Sequence, residues 1–197
     1  MKNMLLIVLG ALCGTALAAI PKVSAHLHAA LSAFRGAASP LTAPRAHTEE
    51  RFSFTAHAPM DRVAPLFGAD KERLWAPNRA PQFLYPVPAV DQPRMVFTVA
   101  HHRLSAVWVN TEFDLANGRV QYVYVIPDTM VTVITLRINP DGAQTHVDVD
   151  YDRTALSPGT EARVREMAEQ DRNSGPEWES QINQYLKQLS NLQARNT

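Results

Sequence analysis

Apolar residues along this chain recur with two different periods, and each period predicts a different kind of element. From Glu49, "ERFSFTAHA" alternates apolar and polar, with Phe52, Phe54 and Ala56 on one face, which is the signature of a half-buried strand. Pro59 then stands where a helix can begin. In "MDRVAPLFG", Val63, Leu66 and Phe67 form an apolar side that Gly68 ends, and Pro65 limits this helix to a couple of turns. Asp70 is placed to cap a second short helix, "KERLW". Between Trp75 and Pro88, prolines at 77, 81, 86 and 88 are interleaved with Trp75, Phe83 and Tyr85. Proline cannot donate to a helix or a central strand, so this segment reads as a stiff loop carrying large apolar groups.

Five alternating stretches follow: "RMVFTVA", "LSAVWVNTEFDL", "RVQYVYVI", "MVTVITLRI" and "QTHVDVDYDRTAL". The turns between the later ones are chemically explicit, at Asn117-Gly118, Pro127-Asp128 and Pro140-Asp141-Gly142. Connections this short force antiparallel neighbours. The period then changes to that of a helix. Ser157 and Pro158 open it, Val164, Met167 and Ala168 form its stripe, and Gly175-Pro176 should break it. Trp178, Ile182, Tyr185, Leu186, Leu189 and Leu192 continue as one amphipathic stripe.

The turn at Asn117-Gly118 also assigns faces. A two-residue hairpin there would pair Phe113 with Tyr122, Thr111 with Tyr124 and Val109 with Ile126. Those six would point inward, and Asn110, Glu112, Asp114 and Gln121 outward. In the last strand Val147, Val149 and Tyr151 take the inner face, while His146, Asp148, Asp150 and Asp152 face water. Both faces of "MVTVITLRI" are apolar, so its parity stays open.

The chain has 197 residues, a formal charge of zero and 46% hydrophobic residues, which suits one domain with a sizeable core. There is no basic excess, and so no electrostatic footprint for nucleic acid. The N-terminus has its own character. Lys2 precedes an apolar run from Met4 to about Leu17 that closes on Ala16-Leu17-Ala18, a small-x-small cleavage pattern. Residues 1–18 thus read as a signal peptide, with the run short of the ~20 residues of a membrane span. That implies a secreted or periplasmic protein. Residues 19–46 read as a linker or short helix, the helical part over Val23 to Phe34. Cys13, the sole cysteine, falls inside the signal, which leaves no thiol chemistry or disulfide in the mature chain.

The order of these elements, with "APMDRVAPLFGADKERLWAP", "VWVNTEFD", "VDYDRTALSPGTE" and "EWESQINQYL", resembles the START-like (SRPBCC) helix-grip superfamily, and within it the polyketide cyclase/dehydrase-like bacterial members. The resemblance covers about residues 47–192, with 193–197 as a tail. It implies an α+β fold in which a curved antiparallel sheet wraps around a long C-terminal helix, with two short helices after the first strand. It also implies an elongated cavity between sheet and helix, whose mouth the short helices border. The candidate ligand-binding residues are then Thr111, Phe113, Tyr122, Tyr124 and Tyr151 on the sheet, Trp178 on the helix, and Trp75 and Phe83 as a roof. The alternative is that these aromatics simply close a packed core.

Reactive motifs are sparse. The sequence holds no G-x-S-x-G, H-E-x-x-H, P-loop or G-x-G-x-x-G, so no cofactor is expected. His146, Asp148 and Asp150 could offer ligands to a cation, but on a water-facing strand face they read as surface, and no metal is expected. The reading is an exported binder of a hydrophobic small molecule or lipid. A cyclase- or hydrolase-type enzyme working inside the same cavity, and an interaction domain, are the alternatives. The sequence does not specify an oligomeric state.

Overall fold

The computed structural model describes residues 44–76, 80–101 and 104–195. The signal segment and the helix expected over Val23–Phe34 lie outside the described residues. Seven strands form one antiparallel sheet: β1 (His47–Ala56), β2 (Gln82–Tyr85), β3 (Val96–His101), β4 (Leu104–Asp114), β5 (Arg119–Ile126), β6 (Met130–Asp141) and β7 (Gln144–Ala155). Their order is β1-β7-β6-β5-β4-β3-β2. Two single-turn helices, α1 (Met60–Val63) and α2 (Ala69–Glu72), follow β1, joined by a 3-10 turn over Ala64–Phe67. The chain ends in α3 (Glu161–Arg172) and α4 (Gly175–Arg195). The helix-grip arrangement expected from the sequence is the one observed, with α4 running to Arg195, past the end of the expected domain.

The sheet is built from two-faced strands. On β7, Val147, Val149 and Tyr151 are buried, and alternation on β6 buries Met130, Thr132, Ile134, Leu136 and Ile138. The parity that the sequence left open on β6 is set by this pairing, Ile134 with Tyr151 and Leu136 with Val149. The long helix buries Ile182 and Leu186 on the concave side. Asn183 also seals the free edge of β1 near its end. Its amide donates to the Thr55 carbonyl (2.9 Å), and its oxygen accepts from the His57 N–H (2.7 Å). The break between α3 and α4 falls where glycine and proline place it. An added Cβ on Gly175 would lie 3.3 Å from the Ser53 carbonyl oxygen, so the first turn of α4 can sit close on β1.

Two local expectations are overturned. The β4–β5 hairpin does not turn on two residues. Leu115–Asn117 make a 3-10 turn, Gly118 takes a left-handed φ of 64°, and Asp114 pairs with Arg119. The Asp114 carboxylate accepts from the Asn117 N–H and side-chain amide, which stabilises this wider loop. A bulge between Asn110 and Glu112 then reverses the facing of the rest of β4. Phe113 stays inward, opposite Val120. Beyond the bulge Asn110 pairs with Tyr122 and Trp108 with Tyr124, so Ala106, Trp108 and Asn110 point inward. Thr111 is exposed, contrary to the two-residue register, and its hydroxyl donates to the Gln121 side chain (2.9 Å).

The second correction concerns the proline-rich loop. Its proline-free residues Gln82–Tyr85 pair with β3 as an edge strand, bounded by Pro81 and Pro86. Proline bars a central strand but tolerates the ends of an edge one.

Candidate ligand cavity

A cavity of about 320 Å³ lies between the concave face of the sheet and the α3–α4 junction. Ala106 and Trp108 of β4, Tyr124 of β5, and Tyr151 and Arg153 of β7 form its sheet wall. Met167 and Asp171 of α3 and Trp178 of α4 form the helical wall. Trp108 stacks on Tyr124 with ring centres 4.1 Å apart.

Arg153 is the chemical centre of this space. It is 3% exposed, and two residues after Tyr151 the strand's parity turns it inward. Its Nε donates to Asp171 Oδ2 (2.6 Å) and its Nη2 to Oδ1 (2.8 Å), a bidentate pair joining β7 to α3. Nη1 donates to the Thr132 hydroxyl (2.9 Å) and to the Tyr124 hydroxyl. The guanidinium carbon lies 4.9 Å from the Tyr151 ring centre, within cation–π range. Burial opposes the charge on Arg153, but its hydrogen bonds to Asp171 and Tyr124 and the attraction of Asp171 outweigh it and hold its pKa above the ordinary arginine value. The guanidinium is therefore a fixed cation with a matched anion.

Toward the short helices the same concave face is filled. Trp75 is 5% exposed and donates its indole N–H to the Leu66 carbonyl (2.8 Å). The Tyr122 hydroxyl donates to the Phe67 carbonyl (2.8 Å). Burial first, and then the charges of Glu72 and Asp91, push the Tyr122 phenol well above its ordinary pKa. Trp75 and Trp178 meet edge to face at 5.4 Å, and Phe97 meets Tyr122 at 6.1 Å. The space remaining among these rings is about 20 Å³, room for roughly one water.

The structure therefore divides the candidate residues. Tyr124, Tyr151 and Trp178 line the cavity. Trp75 and Tyr122 belong to the packed layer. Phe83 lies against Phe97 under the Arg73 guanidinium, near the sheet edge. Phe113 is half-buried by the hairpin, and Thr111 faces outward. Trp108, Arg153 and Asp171 were not among the candidates. Arg153 had a signal: a cation at an inward strand position needs a partner. Asp171 had one too, three residues past Ala168 on the apolar stripe of α3.

Two other places on the molecule offer grooves or clustered ligand atoms. An open groove of about 860 Å³ runs along α4, past His57, Arg62, Glu179, Asn183 and Lys187. It is larger, but it is open, and no Phe, Tyr or Trp ring lines it among the described residues. On the outer face of the sheet, potential ligand atoms of His47, Glu49 and Asp152 lie within 4.8 Å of one another. Next to them Asp150 is clasped by Arg51 and Arg137, and His146 lies 3.4 Å from Asp148, so the strand face of His146, Asp148 and Asp150 is taken up by ion pairs.

No family model matches the chain, and no curated protein matches it. Similar solved structures do exist. Norcoclaurine synthase from Thalictrum flavum is 8% identical, with a TM-score of 0.56 over 74% of this chain and 89% of that one. Ara h 8.0201 is 11% identical, with a TM-score of 0.55 over 72% and 99%. XoxI from Bacillus cereus is 13% identical, with a TM-score of 0.54 over 74% and 98%. At such identities the likeness speaks for architecture, and it agrees with the strand order and the gripped helix described above: the chain has the START-type helix-grip fold.

Proposed function

We propose that this protein binds a hydrophobic small molecule in the cavity between the sheet and the α3–α4 junction. The observation that carries the reading is the cavity itself, with aromatic walls around one buried, hydrogen-bonded cation. Aromatic walls with a few convergent polar groups are characteristic of ligand sites. A volume of about 320 Å³ is at the low end of the usual range, which favours a compact ring system over a long acyl chain. The same fold in norcoclaurine synthase holds dopamine and hydroxybenzaldehyde, both compact aromatics. Catalysis has less support. Among the described lining residues Asp171 is the one carboxylate, and both of its oxygens accept from the guanidinium, which commits it to a structural pair.

The signal-like N-terminus supports a site of action outside the cytoplasm, and the sequence motifs support a reading as a polyketide cyclase/dehydrase-like bacterial member of the superfamily. Native mass spectrometry of the protein purified from its own host tests export and binding together. The expected result is a chain cleaved near Ala18-Ala19 that retains one small molecule. A chain starting at Met1 would overturn export. Protein that carries no ligand and takes up no N-phenyl-1-naphthylamine would overturn binding.

A further inference from the structure

The wall of the cavity has spare donors. The Tyr124 oxygen accepts from the Arg153 guanidinium, so its own proton must point elsewhere, and no described residue accepts it. The indole N–H of Trp108, stacked on Tyr124, is buried and has no acceptor among the described residues. Both Asp171 oxygens already accept from Arg153. A buried donor without an acceptor is destabilising, and in native proteins it calls for an explanation. The charges give a second constraint. Arg153 and Asp171 already neutralise each other, so among the described lining residues an entering anion would find no free counter-charge, and an entering cation would face the guanidinium.

We propose that the cavity selects a neutral ring compound carrying a hydrogen-bond-accepting oxygen of the carbonyl type, and seats that oxygen on the Tyr124 hydroxyl. This rests on the binding reading above and names the ligand class for it. The guanidinium polarises the phenol by donating to its oxygen, and the phenol in turn donates to the ligand, a chain in which each bond strengthens the next. The Trp108 and Tyr151 rings supply the apolar contact.

Two nearly isosteric probes test this on the full chain: 2-acetylnaphthalene, and 2-isopropenylnaphthalene, which has C=CH₂ in place of C=O. The readout is the ratio of their Kd values in the wild type and in Tyr124→Phe. The preference for the ketone should fall roughly three- to tenfold in Tyr124→Phe, the worth of one net hydrogen bond. The infrared carbonyl stretch of the wild-type complex should lie at a hydrogen-bonded frequency, a readout that stands even if Tyr124→Phe fails to fold. 2-Naphthoate should bind at least tenfold more weakly than the ketone. An unchanged ratio, a carbonyl stretch at its free frequency, or tighter binding of the naphthoate would overturn the proposal and leave the binding reading standing. Failure of both neutral probes to bind would overturn the two together.

Discussion

Trp75 and Tyr122, at the end of the concave face beneath the short helices, donate to the carbonyls of Leu66 and Phe67, and their rings leave about 20 Å³. Tyr124 and Tyr151, at the other end, gather around Arg153 and border about 320 Å³. Both ends are aromatic and both are buried. The difference lies in what satisfies the polar tips. A backbone carbonyl fixed by the fold ends the hydrogen-bond chain, and the rings then close over it as ordinary core. A buried cation consumes acceptors and turns hydroxyls into outward donors, and the rings beside it do not close over the space. Asn110 is the exception at the packed end: wholly buried beside Tyr122, its amide is without a partner among the described residues.

The comparison is most exposed to loss of Asp171. Removing it leaves Arg153 charged and unpaired in a buried site, so Asp171→Ala should lower stability by about 3–5 kcal/mol by denaturant unfolding. Replacing both partners together, as Arg153→Met with Asp171→Leu, should recover most of that loss while abolishing any preference for a polar ligand. If Asp171→Ala unfolds like the wild type, the pair is not the buried structural unit described here. Ile182 lies on the grip itself, 0% exposed, and Ile182→Ala should cost about 2–5 kcal/mol. A change below about 0.5 kcal/mol would mean that α4 does not clamp the sheet.

Smaller effects separate the ends further. Tyr122→Phe leaves the Phe67 carbonyl without its donor and should destabilise by about 1–3 kcal/mol without altering probe selectivity. A selectivity change there would erase the distinction between the ends. The smallest effect concerns the tether of α3 to β1. The Arg172 hydrogen bond holds the Glu50 carboxyl below its ordinary pKa. A depressed carboxylate adds stability that is fully present above its unfolded pKa and is lost as pH falls through the folded one. Glu50→Gln should therefore lose less stability than the wild type as pH drops below the ordinary glutamate range. Parallel acid profiles would deny the tether any role.

Much of this architecture is readable from local periods. The alternation on β1, β5 and β7 gives the right inner faces, and the stripe on α4 gives the gripping residues Ile182 and Leu186, although its last member, Leu192, is exposed. Faces on β4 are not readable that way, because one bulged residue reverses every side chain beyond it and carries no strong sequence mark. The bulge exchanges Thr111 for Trp108 in the wall. The ion pair is hidden for another reason: Arg153 and Asp171 stand 18 positions apart on different elements, and only the docking of α3 brings them together. Tyr124, Tyr151 and Trp178 are legible as inward aromatics. Whether such a ring borders space or fills it depends on which groups receive the polar tips, and that is a tertiary property.

The central claim is that one end of the concave face is hollow and takes a ligand. Ala106 lies in the cavity wall and is 3% exposed, so a large side chain there fills the space from a rigid strand. The direct measurement is titration of the full chain and of Ala106→Trp with N-phenyl-1-naphthylamine, with thermal unfolding to confirm that both are folded. The account predicts one saturable site in the wild type and none in folded Ala106→Trp. No uptake by the wild type, or equal uptake by the two proteins, would contradict it.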